Sequence, residues 1–175
     1  MKNQLFTGKE FQIYKSIRDY RSSMKENRGL FITSGPTEIL FRISSPIVKN
    51  HSKYGKELND FLYKNRERQL IFEEGYDPVL KELYEMLSQT DGTSHFEDGY
   101  LKAVKRYIEG VNIRGIEGGA RHKAAAYASL YGLKSYVLSE ETGKITIFEN
   151  GKRLLEDPLE NLCEHANYEF LDSYH

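Results

Sequence analysis

The segment that most constrains the fold is an alanine-rich stretch followed by a glycine and two apolar runs. Ala120–Tyr131 is predicted to be a helix, and Gly132 follows it as a stop signal. Lys134–Ser139 and Lys144–Glu149 are predicted strands, and the second alternates apolar with polar residues. This order of helix, glycine and strand predicts an α/β fold in which the helix packs on a central sheet.

A hairpin and a terminal helix are predicted after these strands. Asn150-Gly151 is a strong hairpin signal, because a type I′ turn needs positive φ at both central positions. Leu159–Leu171 is predicted to form the last helix. The hairpin leaves two arrangements open: strands feeding a central sheet, or an antiparallel meander built from residues 134–155.

The N-terminal part is predicted to begin with a helix over residues 8–28. Thr7 and Glu10 form a capping box at its start, and Gly29 is suited to end it. Leu30–Ile32, a short apolar run bounded by turn residues, is a predicted buried strand.

The middle of the chain is predicted to be largely helical. Apolar spacing and N-cap signals predict helices over residues 50–68, 77–89 and 94–109. Thr37–Ile43 fits either a helix or a second strand, and Leu70–Phe72 is another strand candidate.

Charge is divided unevenly along the chain, although the net charge is only −1. Residues 1–69 hold 14 basic and 7 acidic residues, whereas the remainder holds 11 basic and 19 acidic residues. This division indicates either a polyanion-binding face or two halves that neutralise each other across the fold. Helical spacing places four cations on one stripe, which is either a solvated face or a phosphate-contacting ridge: Arg18, Arg21, Lys25 and Arg28.

Length and composition favour one cytoplasmic domain over residues 1–175. No apolar run approaches the length needed to cross a bilayer, and the first residues lack a signal-peptide pattern, so no membrane partner is expected. A single cysteine, Cys163, excludes an internal disulfide framework and a multi-cysteine zinc site.

Three short motifs resemble those of the PIN-like (PilT N-terminus) ribonuclease superfamily over about residues 28–143. They are Phe31-Ile32-Thr33-Ser34, Gly119-Ala120-Arg121-His122 and Leu138-Ser139-Glu140-Glu141. The resemblance implies an α/β fold whose clustered carboxylates hold Mg²⁺ or Mn²⁺ for RNA cleavage. The chain departs from the pattern at Thr33 and Ala120, where many members carry an acid.

Nearby glutamates are candidates to replace the missing acids. The candidate catalytic glutamates are Glu38, Glu117, Glu140 and Glu141. Of these, Glu38, Glu140 and Glu141 are the candidate metal ligands, provided that the strands before them run parallel and end at one sheet edge. The alternative is that each is an ordinary surface glutamate.

Three consecutive basic residues follow two glycines at the predicted start of the alanine-rich helix. A helix N-terminus carries unpaired amides and partial positive charge, so Arg121 and Lys123 are predicted to contact phosphates. His122 is the candidate general acid or base.

Two functions are consistent with these features. The first is a PIN-like domain that contacts RNA or a ribonucleoprotein, acting as a metal-dependent endoribonuclease encoded by a phage or mobile element. The alternative is a non-catalytic inhibitor of a nucleic-acid enzyme, such as an anti-CRISPR-type protein that binds guide RNA or its effector. The sequence does not predict an oligomeric state.

Overall fold

The computed structural model describes residues 8–26, 28–47, 55–70, 78–109, 115–116 and 118–157. The helices within these ranges are α1 (Gly8–Ser23), α2 (Thr37–Ile43), α3 (Gly55–Lys64), α4 (Pro78–Ser88) and α5 (Ala120–Leu130). The strands are β1 (Leu30–Ser34), β2 (Ser44–Pro46), β3 (Thr93–Glu97), β4 (Tyr100–Ile108), β5 (Lys134–Leu138), β6 (Ile145–Glu149) and β7 (Lys152–Asp157). No helix in these ranges has the length and apolar character that crossing a membrane requires.

All seven strands belong to one mixed sheet in the order β2-β4-β3-β1-β5-β6-β7. Strands β1 and β3 pair in parallel, whereas β1 and β5 pair antiparallel, with Leu30 opposite Leu138 and Ser34 opposite Lys134. The α/β class is therefore confirmed, as is the placement of β1 and β5 in one sheet with α5 packed on it. Strands β5, β6 and β7 also form the antiparallel meander.

Helices cover both faces of the sheet, and alternate residues of the central strands divide the core between them. Leu30 and Ile32 of β1 pack with apolar residues of α1, α3 and α4. Phe31, between them, packs on the other face with residues of α2 and α5. On that second face α5 contributes small, fully buried side chains: Ala125, Ala126 and Ala128.

The predicted helix over residues 94–109 is wrong, because this segment forms the β3–β4 hairpin. Asp98 and Gly99, between the strands, have φ angles of 52° and 81°, the positive values of a type I′ turn. The apolar residues whose spacing suggested a helix also fit the alternation of a strand in part. The Asp98-Gly99 pair favours the hairpin, because its residues suit a type I′ turn.

Several element boundaries differ from those predicted. Helix α1 ends at Ser23 and not at residue 28, whereas Thr37–Ile43 is a helix. The predicted hairpin turn is confirmed, since Asn150 and Gly151 have φ of 52° and 76°. Residues 71–77 and 158–175 lie outside the described ranges, and with them most of the Leu70–Phe72 strand and the whole Leu159–Leu171 helix.

A buried histidine links β1 to β3 at the centre of the sheet. Nδ1 of His95 is 2.8 Å from Oγ1 of Thr33, and Nε2 is 2.9 Å from the carbonyl oxygen of Gly35. A carbonyl only accepts, so Nε2 carries the proton, and Nδ1 accepts from the threonine hydroxyl. Burial lowers the pKa of His95 from 6.5 to about 4, so the folded protein keeps this ring neutral.

This histidine predicts a loss of stability in mild acid. Between its unfolded and folded pKa values, the unfolded chain binds a proton that the folded chain does not. The free energy of unfolding should therefore fall by about 2 kcal/mol between pH 7 and pH 5. Urea unfolding at both pH values measures the change. The His95→Asn variant, less stable at pH 7, should lose most of this dependence, whereas His122→Gln should retain it. An equal pH dependence in wild type and His95→Asn contradicts the assignment.

Candidate functional site

A cleft of about 1120 Å³ opens at the sheet edge where β5 ends and α5 begins. Its volume is slightly above the usual range for small-molecule sites. One side is formed by residues 118–122 at the start of α5, and another by residues 139–142 after β5. The half-buried Ile47 and Ala124 contribute apolar surface, whereas Phe31, Ile108 and Val137 in the same lining are buried, so the cleft combines a polar rim with an apolar wall.

The first turn of α5, whose backbone amides have no hydrogen-bond partner within the helix, lines this cleft. Gly119 is the N-cap residue and makes no side-chain cap, and the first turn contains no acidic residue. The positive end of the helix dipole therefore has no local negative partner within α5. Arg121 and His122 both line the cleft, whereas the exposed Lys123 does not. The arrangement is suited to an anionic group.

Arg121 reaches across the rim toward the turn after β5. Its Nη1 lies 3.7 Å from Oε2 of Glu140, and both side chains are partly exposed, so the pair contributes little to stability. The guanidinium passes directly over Gly29, where an added Cβ atom would lie 1.8 Å from Nη1. Gly29 therefore provides the space that this arginine position requires.

His122 is half-buried beside the same helix end. Its ring packs edge-on against Phe148, with centroids 6.3 Å apart. Gly118, with φ of 117°, lies so close that a Cβ there would be 2.7 Å from the ring. Burial lowers the pKa of His122, and nearby Arg153 lowers it further. The ring is thus predominantly neutral at pH 7 and can accept a proton or a hydrogen bond.

The predicted grouping of three glutamates as metal ligands is wrong in its geometry. Glu140 and Glu141 line the cleft, but Glu38 lies in the first turn of α2, after the other end of β1. Because β1 and β5 are antiparallel, these ends are separated by about 13 Å, the length of the strands. Within the described ranges no three His, Cys, Asp or Glu residues form a metal-binding group. Glu117 lies outside those ranges.

The predicted cationic ridge is also wrong as one continuous surface. Arg21 is buried and forms an ion pair with Asp157, so it cannot contact a phosphate. Lys25 and Arg28 follow the end of α1 and do not continue its stripe. Arg18 remains on the helix, with its guanidinium 5.9 Å from the ring centroid of Tyr14.

The cleft is also lined by residues to which the sequence analysis assigned no functional role, among them Arg106, which fell in the predicted helix over residues 94–109. Asp91 and Gly92 precede β3 and line the cleft, as do Arg106 of β4 and Arg153 of β7. Gly92 has φ of 83°, and a Cβ there would lie 2.5 Å from the carbonyl oxygen of Arg106. The Asp91-Gly92 pair before a strand was the sequence signal that could have identified this part of the cleft. The need for glycine there arises from the close approach of β4, which the sequence does not show.

Gly29→Ala should weaken anion binding at α5 without a large loss of stability. The new methyl group displaces the flexible Arg121 side chain, which can swing into solvent at little cost. Affinity for inorganic tripolyphosphate should fall about tenfold, as expected for one charge-assisted hydrogen bond. Titration calorimetry measures this change. Gly8→Ala is the control, because within the described ranges a Cβ added there meets no heavy atom within 4 Å beyond its chain neighbours and its own helix backbone. Equal affinity in the Gly29→Ala variant and wild type contradicts the role of Gly29.

Two solved structures share the fold of this chain. One is a double mutant of DacA from Staphylococcus aureus, with a TM-score of 0.51, 18% identity, and coverage of 94% of this chain and 93% of that one. The other is a hypothetical membrane spanning protein from Bacillus cereus, with a TM-score of 0.52, 16% identity, and coverage of 87% and 65%.

At these identities the two structures are similar to this chain in fold alone. DacA is a c-di-AMP cyclase, and neither structure is PIN-like. No family profile matches the chain, and no curated protein matches it.

Proposed function

We propose that the cleft binds an adenine nucleotide with its phosphates at the N-terminus of α5. The observation that carries the proposal is the uncapped helix end, flanked by Arg121 and His122, that opens into a cleft with an apolar wall. Backbone amides and a guanidinium suit phosphate oxygens, because they supply directed donors and positive charge. An apolar wall suits the faces of a base.

The fold likeness to DacA supports adenine as the base. That protein is a c-di-AMP cyclase, and the likeness extends over nearly the whole of both chains. Apolar contacts alone do not select adenine among bases, so this choice rests on the shared fold. Two activities follow for testing: simple nucleotide binding, and condensation of two ATP molecules into c-di-AMP with release of two pyrophosphate ions.

Binding of a divalent metal ion remains a prediction, and in this cleft the ion would bind together with the nucleotide phosphates. Asp91, Glu140 and Glu141 supply carboxylate oxygens around the cleft, and these would repel nucleotide phosphates without a cation between them. Mg²⁺ is commonly held by one or two carboxylates together with substrate phosphates, so a ready-made group of three is not required. The proposal therefore assigns Mg²⁺ or Mn²⁺ to the nucleotide complex.

Nucleotide titrations of the wild-type protein and two variants test the binding proposal. ATP should bind more tightly than GTP, and Arg121→Ala should reduce ATP affinity by about 10- to 100-fold, the usual loss for a hydrogen bond to a charged group. Lys123→Ala is the matched control, because Lys123 is exposed in the same turn but does not line the cleft. Its ATP affinity should stay within about threefold of wild type.

Further arms of the experiment separate this proposal from the RNA-based predictions. Incubation with ATP and Mn²⁺ or Mg²⁺, with and without EDTA, followed by mass spectrometry, detects c-di-AMP and so distinguishes a cyclase from a binding domain. Labelled RNA is titrated in parallel. The proposal is contradicted if the protein binds no ATP at millimolar concentration but binds RNA, and if Lys123→Ala weakens that RNA binding. This result would favour the RNA-contacting function.

A further inference from the structure

Arg21 connects α1 to the rim of the cleft from the opposite face of the sheet. Its side chain is fully buried. Nη1 donates to the carbonyl oxygens of Gly143, at 3.3 Å, and of Asp157, at 3.1 Å. Nη2 lies 3.3 Å from Oδ2 of Asp157, which also accepts a hydrogen bond from the hydroxyl of Tyr14. One guanidinium thus joins a helix, the end of β7 and the turn before β6.

The turn that Arg21 holds carries the acidic rim of the cleft. The amide of Ser139 donates to the carbonyl of Lys144, and the amide of Gly143 donates to the carbonyl of Ser139, both at 2.9 Å. Gly143 has φ of 68° and is buried, so the base of the turn is fixed and its outer part projects. That outer part contains Glu140 and Glu141, which line the cleft. Movement of the Gly143 carbonyl would therefore move both carboxylates.

The burial of Arg21 is poorly explained by stability alone. Within the described ranges its Nε has no acceptor although it is buried, so part of the cost of desolvation is not recovered. Buried ion pairs of this kind are often no more stabilising than apolar residues of similar volume. What the guanidinium provides is a planar set of donors that fixes several carbonyl oxygens relative to one another.

We propose that Arg21 is a positioning residue for the cleft: it holds the 139–144 turn so that Glu140 and Glu141 face the bound nucleotide. The opposite rim is joined to this turn by the Arg121–Glu140 contact, so the fixed turn also helps to orient the guanidinium beside α5. The proposal rests on the proposed function for the identity of the ligand, but not for the positioning itself.

The test compares a variant that releases the turn with one that only loosens α1. Arg21→Met combined with Asp157→Asn removes both charges, so no buried carboxylate is left unpaired. Tyr14→Phe removes another contact of α1 with Asp157 but leaves the bond to Gly143. For each variant we measure the hydrogen exchange of residues 139–144 in the absence of ligand. We also measure the affinity for ATP, and both measurements are made well below the melting temperature.

We expect the double variant to speed exchange of this turn at least tenfold and to weaken ATP binding at least tenfold. Tyr14→Phe should lower the melting temperature but change the other two quantities less than threefold. Arg21→Lys keeps the positive charge and one donor nitrogen, so it should recover part of the exchange protection. If the double variant fails to fold, Arg21→Lys replaces it in the comparison.

The outcomes distinguish this proposal from the proposed function. Unchanged exchange in the turn overturns the positioning role, whatever the affinity. Faster exchange with unchanged ATP affinity overturns the link to the ligand. If the wild type binds no ATP, the proposed function fails, and the exchange of residues 139–144 alone decides whether Arg21 positions the rim.

Discussion

The antiparallel pairing of β1 with β5 determines which parts of the chain meet at the cleft. Because these strands run in opposite directions, the start of β1 lies beside the end of β5. Gly29, just before β1, therefore lies next to the rim turn that follows β5, and Arg121 extends over it from the start of α5. A parallel pairing would have brought the Glu38 end of β1 to this edge instead. One strand direction thus decides the chemistry of the whole site.

Sequence reasoning succeeded mainly where the signal was local, although it overlooked the local turn signal of Asp98-Gly99. The alanine-rich helix, Gly132 and β5 follow one another within a short segment, and Asn150-Gly151 forms the turn its residues predict. Strand direction is not encoded locally, because an apolar run such as Leu30–Ile32 reads the same in either orientation. The same limit explains Arg21, whose partner Asp157 is 136 residues away. Arg121 and His122 of the basic segment do line the cleft, and their expected roles, phosphate contact and general acid or base, remain predictions.

Charge counted along the sequence overestimates the charge available to a ligand. The positive balance of residues 1–69 includes Arg21, which is neutralised internally by Asp157 from the acidic half. Lys134 is likewise buried, 2.9 Å from a carboxylate oxygen of Glu10 and 3.5 Å from one of Glu149. Both pairs connect the first helix to the far strands. Only the Arg21–Asp157 pair joins the excess charges of the two halves, which agrees with the interpretation that the halves partly neutralise each other. A charged ligand encounters mainly the cations left at the surface.

The buried alanines of α5 set the distance between this helix and the sheet. Side chains as small as Ala125, Ala126 and Ala128 allow the helix axis to approach the strands closely. The N-terminal amides of α5 are thereby held near the apolar wall of the cleft. The small side chains in the core thus fix the position of α5 relative to the cleft. Larger residues at these positions, a common way to raise stability, would displace the helix. A methylene group added beneath α5 would lift the positive end of the helix away from the cleft. If the cleft binds a ligand as proposed, core packing and ligand recognition are one constraint on these three positions.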